Sequence, residues 1–126
     1  MTRLLQIGSV LLLAWLSAGC AQKVQKPANP VQHVVLLWFT TKTNSWIQQV
    51  ETETLKLRAI PQVLSLETGT AIKSNREIVD DSFDLGITVT FRSVDDMKKY
   101  LIDPRHTKFV DTWLKGRMDK MQVYDF

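Results

Sequence analysis

Lys99-Tyr100-Leu101-Ile102-Asp103-Pro104-Arg105-His106-Thr107-Lys108-Phe109 joins the end of one helix to the start of the next. Asp103 followed by Pro104 has the pattern of an N-cap with proline in the first helical turn. Beyond it, His106, Phe109, Val110 and Trp113 fall on one face at i, i+3, i+4, i+7. Before it, Val94, Met97 and Leu101 carry the apolar positions of a helix opened by Ser93 as cap, with Asp95 and Asp96 at the positive end of its dipole. The stretch also brings Tyr100 within six residues of His106, one of only two histidines in the chain.

Upstream, Phe83 to Arg92 is the plainest strand. Phe83, Leu85, Ile87, Val89 and Phe91 alternate with polar residues or Gly86, which predicts all five on one buried face. The connection at residues 72–82 is polar, and residues 62–71 form a second strand with Leu64, Leu66 and Thr68 on one parity. Residues 43–60 read as a helix stopped by Pro61. Its caps are Ser45, spaced from Gln48 as in a capping box, or Asn44; Trp46, Ile47, Val50, Thr54 and Leu57 form its inner stripe. Residues 32–40 are a strand apolar on both parities from Val34 to Phe39. In so short a chain one face is covered by its own helices and the other needs a second layer, which points to a dimer. Downstream, Gly116 ends the last helical segment and residues 121–126 make a short final strand.

The order is therefore β-α-β-β-α-β, with the second helical region split at Pro104. That is an α+β, ferredoxin-like plan: a four-stranded antiparallel sheet with helices on one face.

The residues ahead of this domain differ in kind. Arg3 precedes a largely apolar run from Leu4 to Leu16, closed by Ser17-Ala18-Gly19-Cys20. This is the plan of a secretory signal, too short for a comfortable membrane span. Its end resembles a bacterial lipoprotein lipobox, although Ser17 stands where the strongest versions carry Leu. The resemblance implies cleavage before Cys20 and lipid on that residue. The expected divisions are a signal at 1–19, a lipidated Cys20 with a polar, Pro-containing tether at 20–31, and a domain at 32–126. Localisation would be the cell envelope, on the periplasmic face of the outer membrane in a host with two membranes. Cys20 is the sole cysteine, so no disulfide, Cys-metal site or thiol chemistry is available to the domain.

The net charge of +3, without a basic run interleaved with aromatics, gives no footprint for nucleic acid. Neither a phosphate loop nor a nucleophile elbow is present, and no cofactor is predicted. The acidic pairs Asp80-Asp81 and Asp95-Asp96 lack ligand-spaced histidines, so no metal site is predicted either.

Four segments resemble the stress-responsive dimeric α/β-barrel, or Dabb, family: Gln32 to Phe39, Ile60-Pro61-Gln62-Val63, Phe91 to Tyr100, and Tyr100 to Phe109. The resemblance spans residues 32–126 and implies a homodimer in which two sheets pack into a barrel. The family includes plant proteins tied to stress and a plant polyketide cyclase. In that cyclase the positions matching Tyr100 and His106 are catalytic, and the one matching His33 lines the site. A further pocket histidine falls at Leu85 here, a departure that weakens transfer of the cyclase reaction.

Three readings follow. In the first, His33, Tyr100, His106, Trp38 and Leu85 line a pocket for a small apolar or aromatic molecule. In the second, His106 takes and returns a proton while Tyr100 donates a hydrogen bond to a developing enolate, as in a cyclase or related lyase. In the third, the space is filled by side chains and the protein is a structural component of the envelope. A histidine on an apolar helical stripe is more commonly a core residue bonded to a backbone carbonyl, so the third reading has weight.

Overall fold

The doubly apolar first strand is the centre of the sheet. In a computed structural model, which describes residues 29–126, strand β1 (Val31–Phe39) is flanked on both sides in the order β2-β3-β1-β4. Helix α1 (Asn44–Leu55) follows and tightens into a 3₁₀ turn at Lys56–Ala59. Strand β2 (Ser65–Gly69) and strand β3 (Leu85–Phe91) come next, then α2 (Val94–Ile102) and α3 (Pro104–Phe109). A π-helical turn at Val110–Leu114 extends α3 before strand β4 (Met118–Asp125). All pairings are antiparallel, and the fold is ferredoxin-like. The expected signal at 1–19 and Cys20 lie outside the described residues, as does most of the expected tether at 20–31. Among the described residues no helix is long and apolar enough to cross a membrane.

The helix-side face of β1 carries His33, Val35, Leu37 and Phe39, all buried. With Leu66, Leu85, Ile87, Val89 and Phe91 from β2 and β3, and Val50, Leu57, Met97, Tyr100, Phe109 and Leu114 from the helical segments, they form the core. The opposite face of the sheet has no helix. Val34 and Leu36 are half-buried there, and Trp38 is covered by local partners: its Nε1 donates to Ser82 Oγ at 2.9 Å, Phe83 meets it edge-on, and the Lys120 ammonium lies 4.2 Å from its ring.

Several local expectations change. Thr43, not Ser45 or Asn44, caps α1, accepting from Trp46 N at 3.3 Å. The helix gives way at Lys56 because Pro61 forces Ile60 into an extended conformation (ψ 126°), and the chain tightens before that point. Strand β3 starts at Leu85, and Phe83 does not share its buried face. Asp84 breaks the alternation: its N–H donates to Leu37 O and its carboxylate accepts from Phe39 N, which turns Phe83 onto the helix-free side beside Trp38 and Gly86. Val94 is exposed rather than part of the α2 core stripe. Strand β4 begins at Met118, three residues early, after Gly116 ends the helical segment with φ of +72°. The caps at Ser93 and Asp103 form as read, accepting from Asp96 N and Arg105 N.

Candidate functional site

A cavity of about 250 Å³ lies between the helices and the sheet at the His33 end of β1. β1 supplies His33 and Val35, and β3 supplies Ile87 and Val89 directly opposite them. The α2–α3 joint supplies Tyr100, Leu101 and His106, α1 supplies Thr54, and Met121 and Val123 of β4 form an open side. Most of the wall is aliphatic or aromatic carbon, so the polar groups facing it number only a few.

Those groups converge. The ring of Tyr100 stands 4.5 Å from that of His106 and 6.3 Å from that of His33, centroid to centroid, and Phe91 backs it at 5.0 Å. The split at Pro104 produces this arrangement. Asp103 caps α3 and leaves the helical path of α2 (ψ 133°), so the new helix turns His106 back over Tyr100.

Each histidine has one nitrogen engaged. His106 Nδ1 donates to Leu101 O at 3.1 Å, which leaves Nε2 with its lone pair. His33 Nδ1 donates to Asp125 Oδ1 at 2.6 Å, which leaves its Nε2 outside that bond. Tyr100 makes no hydrogen bond to protein among the described residues. Burial pushes its phenol far above the usual range, so it is a neutral donor at any physiological pH. Burial also lowers His106 below the ordinary 6.5 of histidine, with nearby His33 adding to the effect and the bond to Leu101 and the charge of Asp103 opposing it. At neutral pH the cavity thus presents uncharged His106 and Tyr100.

The shift of His106 has a stability consequence. The unfolded chain takes up a proton near 6.5 while the folded protein resists it until lower pH, so stability holds above 6.5 and falls as pH drops below it. The urea midpoint of His106→Gln is expected to fall less between pH 7.5 and 5.5 than that of the unsubstituted protein. Parallel declines in the two proteins would refute this role.

Of the five side chains expected at the pocket, His33, Tyr100 and His106 meet there. Trp38 does not, because it lies on the other parity of β1 and on the other face of the sheet. Leu85 does not either. It pairs with Leu37, four residues along β3 from Val89, or about 13 Å from the His33 level, and it is fully buried in the core. Asp125 is a site residue that sequence reasoning missed: it is 92 residues from His33, and no local pattern connects them. The acidic pairs have local tasks. Asp80 accepts from Ser82 N and Oγ, Asp81 accepts from Ser74 N, and Asp95 and Asp96 open α2. Among the described residues no three or more His, Cys, Asp or Glu side chains are grouped to hold a metal ion.

The profile of the stress responsive A/B barrel domain, Dabb, matches residues 31–126. The chain belongs to the Dabb family. Its domain is similar to hydroxynitrile lyase from Passiflora edulis, at 22% identity and a TM-score of 0.69, covering 79% of this chain and 94% of that one. It is similar to a Dabb family protein with a ferredoxin-like fold from Mesorhizobium loti, at 18% identity and 0.64, covering 77% and 94%. A dimeric ferredoxin-like protein of unknown function from Thermobifida fusca gives 20% identity and 0.63, covering 77% and 89%. At these identities the likeness of the Dabb domain is one of fold. No curated protein matches the chain by sequence.

Proposed function

We propose that this Dabb protein is a lipid-anchored, homodimeric component of the bacterial cell envelope that binds a small, neutral, apolar or aromatic molecule. The observation that carries the reading is the cavity: about 250 Å³ of apolar wall with His33, Tyr100 and His106 directed to one region. A volume of this order suits a ring system or a short acyl chain, a little below the ordinary size of drug-sized ligand pockets. An apolar wall disfavours anions, while Tyr100 can donate to, and His106 Nε2 accept from, one oxygen-bearing end of the ligand. The anchor is supported by the signal-like segment closing on Cys20, and the dimer by the helix-free sheet face and by the dimeric relative from Thermobifida fusca.

Thermal unfolding of the full chain against a panel of neutral aromatic ketones and short-chain aldehydes tests the pocket. A binder at a hundredfold excess over its Kd should stabilise the fold by about 2.7 kcal/mol. Ile87→Phe, which fills the cavity, should abolish the response. A ligand whose shift survives Ile87→Phe binds elsewhere and overturns this reading.

A lyase is the second reading, favoured by the 4.5 Å contact of Tyr100 with neutral His106 and by the fold shared with a hydroxynitrile lyase. Here His106 Nε2 would accept the hydroxyl proton of a cyanohydrin as its C–CN bond breaks; the oxygen becomes a carbonyl held by Tyr100, and cyanide leaves with the bonding pair and takes the proton from His106. Release of cyanide from mandelonitrile by the unsubstituted protein but not by His106→Ala supports this reading; equal release from both excludes His106 as the base.

A further inference from the structure

The α2–α3 joint has an inner and an outer side. Tyr100, Leu101 and His106 line the cavity, whereas Ile102 between them is 76% exposed. Lys98 and Lys99, also exposed, lie one turn before it. Residues 98–108 hold four cations (Lys98, Lys99, Arg105, Lys108) and one carboxylate, Asp103, for a formal +3. Asp103 is taken by Arg105. Lys98 and Lys99 make no ion pair among the described residues, although Asp95 stands one turn before them. An exposed aliphatic side chain beside lysines that form no ion pair among the described residues is the composition that seats a protein on an anionic lipid interface.

Chain geometry points the same way. β1 starts at this end, with Val31 opposite Phe91. The eleven residues 21–31 can span on the order of 35 Å, so a lipid on Cys20 would leave this end of the domain within reach of the bilayer.

We propose that the outer side of the α2–α3 joint, with Ile102, Lys98 and Lys99, docks on an anionic bilayer surface. The proposal rests on the lipid-anchor reading for how the chain reaches the membrane, and on the joint itself for how it sits there.

The test uses the full chain reconstituted in vesicles of phosphatidylethanolamine and phosphatidylglycerol, with a bimane label on Ile102→Cys or, at the far end of the sheet, on Thr41→Cys. The unsubstituted chain sets the background, and lipids bearing a nitroxide act as quenchers. Quenching at Ile102 should exceed that at Thr41 by roughly threefold or more, and Lys98→Glu with Lys99→Glu should remove the difference. Equal quenching at the two positions, with mass spectrometry finding lipid on Cys20, overturns docking and leaves the anchor standing. Preferential quenching at Ile102 without lipid on Cys20 supports docking and overturns the anchor. Absence of the protein from the vesicles overturns both. Undiminished preference in pure phosphatidylcholine, or loss of the preference only when a co-purifying protein is removed, overturns the anionic bilayer as the partner.

Discussion

Phe39→Ala should remove about 3–5 kcal/mol of folding stability, the usual cost of truncating a buried aromatic residue. A domain of this size is held by roughly 5–15 kcal/mol in total, so the variant loses about a fifth of its margin or more. Phe39 is the position where that cost is fully felt. It is completely buried, it ends β1 against Trp46 at 6.4 Å, and its backbone N–H is held by the Asp84 carboxylate at 2.7 Å, so its surroundings cannot easily close over the space. Urea unfolding should show a lower midpoint with an unchanged slope. A loss under 1 kcal/mol would mean that the Phe39 end of the sheet is not a fixed core.

Leu36→Glu should convert the protein from two copies to one. Leu36 is on the helix-free face of β1, packed beside Gly86 and flanked by Val34, and that face is the surface proposed to meet the partner. An unpaired carboxylate buried in such an interface costs about 3–5 kcal/mol, which weakens association on the order of a hundredfold to several thousandfold. Because Leu36 is only half-buried within one protomer, circular dichroism should be unchanged. Sedimentation equilibrium checks both statements; an unsubstituted protein that sediments as a monomer would end the dimer reading.

The order of elements was legible because each carries its own period: alternation from Leu85 to Phe91, the i, i+3, i+4 stripes of the helices, and the Asp103-Pro104 break between them. The local departures have one kind of cause. Asp84, Thr43 and Ile60 answer to hydrogen bonds and to a following proline at element ends, where periodicity says little. The cavity was legible only through its polar members. His33, Tyr100 and His106 are uncommon enough to single out, whereas Ile87, Val89, Met121 and Val123 line it with residues indistinguishable from core. Trp38 and Leu85 show the opposite limit. A family position and an aromatic side chain mark a residue as interesting, yet strand parity sends Trp38 to the other face and register carries Leu85 to the other end of the sheet. Asp125 became visible only when β4 paired with β1 and laid a carboxylate beside His33.

That pairing also sets the tempo of folding. β1 is made first among the strands, but both of its partners come late: Leu37 waits for Leu85, and His33 for Asp125. β2 and β3 can pair as sequence neighbours, but closing the long loops that bring β3 and β4 to β1 slows the rest of the search. The chain is therefore expected to stay unfolded through most of its synthesis and to acquire sheet, core and the His33–Asp125 contact nearly together. On the proposed envelope reading, this delay lets the chain cross the membrane before it has a structure to lose.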